Sequence, residues 1–467
     1  VDSIFQRLQK EVIQPGLCTH CGTCAGLSGG SLTMEETRHG PRPRAVGPAA
    51  VDLPGLALQA CPGKGIHYPA AATAVFGRLP ENWLIGCYRK VYLGYSRVPA
   101  VRRGGASGGV ITQTLLYLLE EKLIEGAVVV VQGQPKPWQA QVTIARTAEE
   151  VMAASQSVYV PVPVNTILPE LESFGGRVAY VGLPDQVASL CVLQAAGHPA
   201  VRQVRYVLGP YVGTAIYFGA IESYLRSNGV RDVDQVTDLR YRAGEWPGYL
   251  QIETQSGRTL RAAKFYYNYL IPFYITRSTL FSADFTNELT DISVGDAWHP
   301  RYEAQGEGFS VVVARSEQGQ EILEAMRGRE LVSLEELALD EALSMHGHML
   351  DFKKRGAFIR IGWRAAAGKA VPDYGYRPAT IPLSRKAVEL VISGLFLVCG
   401  TRVARRLVEF IPIKVIGPLF DGLRKGWKSI SKPTKRRGLG EVAFEVAPWD
   451  SAETGLSDGI ESDPSSD

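Results

Sequence analysis

Three cysteines, Cys18, Cys21 and Cys24, stand at two-residue intervals, and a fourth, Cys61, is followed at once by Pro62. A loop with that spacing can aim three thiolates at one centre, and a distant Cys-Pro can close the ligand set of a [4Fe-4S] cubane. The proline lacks an N–H and fixes φ, which turns the chain away from the centre, while Gly22 lets backbone amides approach sulfur. Structural zinc is the alternative, since zinc also takes C-x2-C pairs, though usually two pairs across a longer loop. His20 lies within the loop, but four thiolates already satisfy a cubane, so it reads as a solvated or neighbouring residue and not as a ligand. Cys87, Cys191 and Cys399 are isolated and read as small buried hydrophobes.

Seven cysteines, an odd number and clustered in this way, point to ligand chemistry in a reducing compartment and not to a disulfide framework. The first fifteen residues carry Asp2, Arg7, Lys10 and Glu11 and lack the apolar stretch of a secretory signal, so the expected localisation is cytoplasmic. Fifty Lys and Arg against 47 Asp and Glu leave a net charge of +3, which gives no field favouring nucleic acid. The longest apolar run, residues 387–399, is interrupted by Glu389 and is too short to span a bilayer.

Residues 1–75 are rich in Cys, Gly and Pro, the composition of a small unit that needs a metal to hold it together. From Val91 the text changes to a short apolar run, a glycine-rich turn at 104–109, a helical pattern at 110–122 and a strand-like run at 126–131. A second alternation follows, with a strand at 177–181, a turn at 182–184 and a helix for which Asp185 is the expected N-cap. A strand at 206–208 and a helix at 215–226 come next, then short strands that include 250–254 and 310–314. The predicted fold class is α+β: a small N-terminal ferredoxin-like iron-sulfur unit (1–75), a central α/β flavin-binding domain (76–350), a C-terminal helical extension (351–440) and an acidic, disordered tail (441–467). Residues 424–437 hold seven bases and no acid, and residues 441–467 hold eight acids and no base.

The turn Arg103-Gly104-Gly105-Ala106-Ser107-Gly108-Gly109-Val110 leads into a helix, and glycines before a helix N-terminus expose backbone donors to a phosphate or a flavin edge. By pattern alone a plain turn fits equally well, because the stretch does not match G-x-G-x-x-G. A cluster in the same chain favours a redox cofactor there.

Taken together, Cys18-x2-Cys21-Gly22-x-Cys24, Cys61-Pro62-Gly63-Lys64-Gly65, residues 103–112, Val181-Gly182-Leu183-Pro184-x-Gln186, Tyr241-Arg242, Trp246-Pro247-Gly248 and Asn287-Glu288-Leu289-Thr290-Asp291-Ile292-Ser293-Val294-Gly295-Asp296-Ala297-Trp298 resemble the coenzyme F420 hydrogenase/dehydrogenase beta-subunit family. The resemblance covers about residues 18–350 and implies FAD beside one or two [4Fe-4S] clusters. It assigns Arg103, Gly105, Ser107, Gly108, Gly109, Val110 and Thr112, with Asn287, Glu288, Asp291, Ser293, Gly295 and Asp296, to the FAD, although capping or turn duty is as good an account of Asp291 and Asp296. Where the family commonly carries further cysteines, this chain has Asp185, Pro210, Ser278 and Phe281. Phe and Pro cannot ligate iron, so one cubane is expected, on Cys18, Cys21, Cys24 and Cys61.

The expected function is an FAD-dependent oxidoreductase. It would exchange electrons between a two-electron carrier at the flavin and a one-electron partner, ferredoxin or a partner subunit, through that cluster. A non-catalytic electron-transfer or assembly subunit is the alternative, and a zinc-stapled binding module is a third. No acid/base triad stands out, though His299 and Tyr267 are candidate proton donors. The C-terminal extension, with its short apolar helix and basic run, is expected to attach to a partner or to lie against the inner face of a membrane; a helix packed on the protein's own core beside a solvated charge run is the equally open alternative.

Overall fold

The computed structural model describes residues 2–47, 51–263 and 268–450, together with Thr454 and Leu456. Its N-terminal unit holds the helix Ile4–Leu8, the cysteine loop and an antiparallel hairpin of β1 (Leu32–Glu35) and β2 (Arg42–Ala45). Leu8, Val12, Leu17, Leu32, Ala57 and Leu58 form its small core. The next helix, Tyr68–Phe76, packs instead on the main body through Tyr68, Ala70 and Ala71, so the N-terminal unit ends nearer Cys61 than residue 75.

The apolar runs of the middle third assemble into one eight-stranded mixed sheet. Its strands are β3 (Lys90–Ser96), β4 (Gly126–Gln132), β5 (Ala140–Ala145), β6 (Val178–Val181), β7 (Val204–Pro210), β11 (Ile292–Asp296), β12 (Ser310–Ala314) and β13 (Val332–Glu336), in the order β13-β3-β12-β11-β7-β6-β4-β5. β11, β7, β6 and β4 are parallel neighbours, whereas β12 runs antiparallel to both β11 and β3. Parallel strands need both faces covered, which explains why these segments are continuously apolar and not alternating. The helices Val110–Glu120 and Glu317–Gly328 cover one face, and the helices Leu168–Ser173 and Pro184–Ala195 cover the other. A second sheet of β8 (Val236–Ala243), β9 (Tyr249–Thr254) and β10 (Thr259–Ala263) packs on the helix Gly219–Ser227.

Arg315 fixes the base of the large sheet. It is 1% exposed, and it donates from Nε to Ser293 Oγ at 3.0 Å, from Nη1 to the carbonyls of Ile85 and Cys87, and from Nη2 to Thr286. All its donors meet acceptors within the chain, which is the condition for burying a guanidinium without a large penalty.

Two expectations are corrected. Asp185 is not an N-cap: the helix begins at Pro184, with Leu183 as the cap residue, and Gln186 returns its side chain to the Leu183 N–H at 2.8 Å. The tail does not lose order at Glu441, because β15 (Phe444–Val446) pairs antiparallel with β14 (Tyr376–Pro378) and the Trp449 ring packs at a tilt against His67, 5.3 Å between centroids. Residues 457–467 and Tyr267 lie outside the described residues.

Candidate functional site

The four clustered cysteines are free and gather at the join between the N-terminal unit and the main body. Two left-handed backbone positions, His20 at φ 63° and Gly22 at φ 90°, bend the loop between the first and third cysteines. Only glycine fits at 22, since a Cβ there would fall 2.8 Å from the carbonyl oxygen of Pro163. Burial pushes the Cys18 thiol up to about 11 and raises those of Cys24 and Cys61 well above the ordinary range, with the neighbouring cysteines adding to the rise. Backbone N–H groups oppose this: His20 donates toward Cys18, Ala25 toward Cys24, and Gly63 and Lys64 toward Cys61. Cys21 is buried and Cys18, Cys24 and Cys61 are half-buried, and thiols close together with amides aimed at them are residues that could hold a metal cluster, whose positive charge would stabilise the thiolates. His20 is not solvated. It is 2% exposed, its Nδ1 lies 2.8 Å from the Pro41 carbonyl oxygen, and burial lowers it to about 4.

The loop is attached to the sheet by Asn165, which no sequence pattern singled out. Its backbone N–H donates to the Cys21 carbonyl at 2.9 Å, and its side-chain amide donates to Thr23 Oγ1 at 2.9 Å and to the Gln186 carbonyl at 3.2 Å. Its Oδ1 accepts the Tyr180 hydroxyl. Asn165 is fully buried and so joins the cysteine loop to β6 and to the helix Pro184–Ala195 that follows it. Asn165→Ala would leave the Tyr180 hydroxyl and the Gln186 carbonyl without this partner, at an expected cost of about 2–4 kcal/mol. Urea denaturation measures that loss, and limited proteolysis should show the cysteine loop cut first.

The glycine turn lies at the edge where the parallel strands end, which is where open α/β sheets bind ligands. Ser107 Oγ donates to the Phe309 carbonyl at 2.8 Å, and the Gly108 N–H donates to Ser310 Oγ at 2.9 Å, which seats the turn on the start of β12. A Cβ on Gly108 would fall 2.7 Å from the Gly94 carbonyl oxygen, so Gly108 is glycine because it touches the sheet. Gly109, at φ 74°, caps the helix Val110–Glu120; Val110 faces the core, and Arg103 is exposed. The turn therefore offers backbone donors at a helix N-terminus, with Gly105 and Thr112 at its two ends.

The second predicted segment divides. Asn287, at φ 62°, donates from its amide to the carbonyls of Gly182 at 2.7 Å and Pro210 at 3.3 Å, which places it at the same edge, beyond β6 and β7. Among the described residues its buried Oδ1 meets no hydrogen-bond partner, and neither do the two side-chain polar atoms of Gln132 at the end of β4. Buried polar groups are nearly always paired, so these atoms fit a bound polar ligand. Asp296 ends β11 at that edge, held by Arg242 at 3.2 Å and by Trp246 Nε1 at 2.8 Å. Glu288, Asp291 and Ser293 are occupied elsewhere. Glu288 accepts from Lys354 at 2.5 Å; Asp291, at the opposite end of β11, accepts from the Val207 N–H, Ser316 and Gln318; Ser293 holds Arg315. Gly295 admits the Tyr211 ring, which lies 2.3 Å from where its Cβ would stand. His299 caps the helix Pro300–Glu303 by accepting from the Arg301 N–H, a structural role.

The positions of the replaced cysteines do not form a second donor set. Phe281 packs into the apolar box beside Cys18, Cys24 and Cys61; Ser278 donates to Thr276 at 3.4 Å; and the Pro210 carbonyl is taken by Asn287. Burial pushes the Asp185 carboxyl up to about 6 while the nearby Lys353 ammonium draws it down, and burial lowers Lys353 to about 8.

Among known proteins, the chain is 25% identical over 384 residues to the coenzyme F420-dependent sulfite reductase of Methanocaldococcus jannaschii, covering 78% of this chain and 54% of that one, so it spans about half of that relative's length. It is 23% identical to the coenzyme F420 hydrogenase subunit beta of Methanothermobacter thermautotrophicus, over 51% of this chain and 82% of that subunit. A chain of the F420-reducing [NiFe] hydrogenase complex from Methanosarcina barkeri superposes with a TM-score of 0.49 at 20% identity, covering 62% of this chain and 97% of that one. The N-terminal region of the coenzyme F420 hydrogenase/dehydrogenase beta subunit matches residues 91–169, and its C terminus matches residues 175–339. Those two matches span more than half of the chain, and the protein belongs to the coenzyme F420 hydrogenase/dehydrogenase beta-subunit family.

Proposed function

We propose that this chain is an FAD-dependent oxidoreductase with a single [4Fe-4S] cluster held by Cys18, Cys21, Cys24 and Cys61. It would pass electrons between a two-electron carrier at the flavin and a one-electron partner, ferredoxin or a partner subunit. The observation that carries the reading is the Asn165 bracket, which seats the four-cysteine loop beside β6, a strand whose far end meets Asn287 and shares one edge of the sheet with Asp296 on β11 and the glycine turn on β12. Among the described residues, no three His, Cys, Asp or Glu side chains are arranged around a single metal ion, so the cluster reading rests on the spacing and placement of the four cysteines. Bound flavin supplies exchange between two-electron and one-electron chemistry.

The chain's own residues hold, orient and exclude water. The amides at the start of the helix Val110–Glu120 would receive the FAD phosphates, and Asn287 Oδ1 and Gln132 would accept or donate hydrogen bonds to its polar edge. The Arg242–Asp296 pair, with the Trp246 and Trp298 rings tilted against each other 5.0 Å apart beside it, would wall that edge. Phe281 keeps water from the sulfurs. Membership of a family named for coenzyme F420 makes a deazaflavin the first two-electron carrier to try, with a nicotinamide as the second.

The test is anaerobic turnover by the isolated chain reconstituted with iron, sulfide and FAD. Reduction of the bound flavin by reduced F420 or NADPH, followed by reduction of added ferredoxin, is the expected result. Bound cofactors with no turnover on any donor would favour the electron-transfer-subunit reading.

A further inference from the structure

The last three helices, Leu383–Cys399, Arg402–Glu409 and Ile413–Arg436, lie beyond the residues that carry the family match and against the body. Their inner faces are satisfied. Arg385 and Glu389 are fully buried in ion pairs, Ile392 packs with Phe352, and Ile413, Ile416 and Phe420 pack against the second sheet's core. Their outer faces are apolar as well. Among the described residues, thirteen of the eighteen large apolar side chains that are exposed lie between Leu383 and Ile430. Phe410 is 83% exposed, Leu397 76% and Ile430 75%, values that protruding side chains have and groove-lining ones do not. A concentration of this kind on one face calls for a covering partner.

On the last helix the two outer strips can be read directly. Val415, Leu419, Leu423 and Ile430 recur at helical spacing and form one apolar stripe. Exposed Lys414, Lys425, Lys428 and Lys432 form a second strip on the other flank of the same helix. From Leu383 to Arg437 the sequence holds thirteen Lys and Arg against three acids, whereas the whole chain is only +3, so the positive charge is concentrated on this extension. Among the described residues no single helix is long and apolar enough to cross a membrane; the first two reach that length and apolarity only as a pair, and they are bent by 73° to one another. They would lie along a surface.

We propose that the outer face of these three helices docks on an anionic lipid bilayer. Its aliphatic side chains would enter the boundary between headgroups and acyl chains, and its lysines and arginines would meet lipid phosphates. Charge complementarity selects this occupant. A bilayer accepts a convex aliphatic surface without a matching shape and gains most from flanking bases, whereas a second copy of this face would bring like charges together.

The experiment is sedimentation of the full chain with phosphatidylglycerol/phosphatidylcholine vesicles and with phosphatidylcholine vesicles alone. Binding to the anionic vesicles is expected to be at least about ten-fold tighter and to weaken at about 0.5 M salt. The triple variant Leu397→Gln, Leu419→Gln, Leu423→Gln and, separately, Lys414→Gln, Lys428→Gln, Lys432→Gln should each lose about ten-fold or more in binding. All six side chains point outward, and an unchanged circular dichroism spectrum and Tm would confirm the fold. Equal binding to both vesicle types, no binding at low salt, retained binding by the leucine variant, or a concentration-dependent dimer that this variant disperses would each overturn the proposal.

Discussion

Cys21→Ser protein, prepared anaerobically, is expected to lose the visible absorbance of its cluster. Its backbone amides between Ile4 and Cys61 should exchange at least about 100-fold faster, equivalent to about 3 kcal/mol of local stability. The core of that unit is a handful of aliphatic side chains, with Cys18, Cys24 and Cys61 packed among them. Without a cluster it must bury thiols that face one another, each pushed toward the neutral form. The strands of the large sheet should keep their protection, since their apolar faces are closed by separate helices. Cys87→Ser should do neither, because Cys87 is a lone buried thiol whose Sγ approaches the Arg78 carbonyl at 3.6 Å. Loss of cluster absorbance in Cys87→Ser, or its retention in Cys21→Ser, would contradict the ligand assignment.

Glu389→Ala is expected to destabilise the protein by about 3–5 kcal/mol, the cost of leaving buried charges uncompensated. Glu389 accepts from Arg360 Nη1 at 2.5 Å and from Arg385 Nη2 at 2.9 Å, and Arg385 also pairs with Asp351 at 2.8 Å. Asp351 in turn accepts from Arg355 at 2.8 Å. This network pins the helix Leu383–Cys399 to the body, and it is the reason that helix holds its place with most of its apolar side chains turned outward. Replacing Glu389 and Arg360 together by Leu and Met should cost less than Glu389→Ala, because Arg360 is then no longer a buried charge without its partner and Arg385 keeps its pair with Asp351. Urea denaturation of the two variants decides it, and a larger loss in the double variant would refute the clamp.

The cysteine spacing, the glycine turn and the apolar runs were legible because each is a local pattern with a local cause. The strand predicted at 310–314 is β12 itself, and those at 126–131 and 250–254 fall within a residue of their observed bounds. What joins these pieces was not legible. Asn165 lies in a stretch without periodicity, and its role appears only when the chain brings residues 21–23, 180 and 186 to it. Glu389 looked like an interruption of an apolar helix, whereas burial beside two arginines makes it the anchor. Asp291 and Asp296 sit in one motif, yet a five-residue strand separates them to opposite ends of the sheet, one structural and one at the candidate edge. Gln132 carried a faint signal, a polar residue closing a run of four valines, and only its unpartnered atoms give it meaning.

The most direct test of the account is the visible spectrum of the anaerobically purified full chain, taken with iron, acid-labile sulfide, zinc and flavin content per chain. The account predicts about four irons, four sulfides and one FAD, since one set of four thiolates is complete and the positions of the other hold Asp185, Pro210, Ser278 and Phe281. A chain with about eight irons, or a colourless one with about one zinc and no flavin, would contradict it.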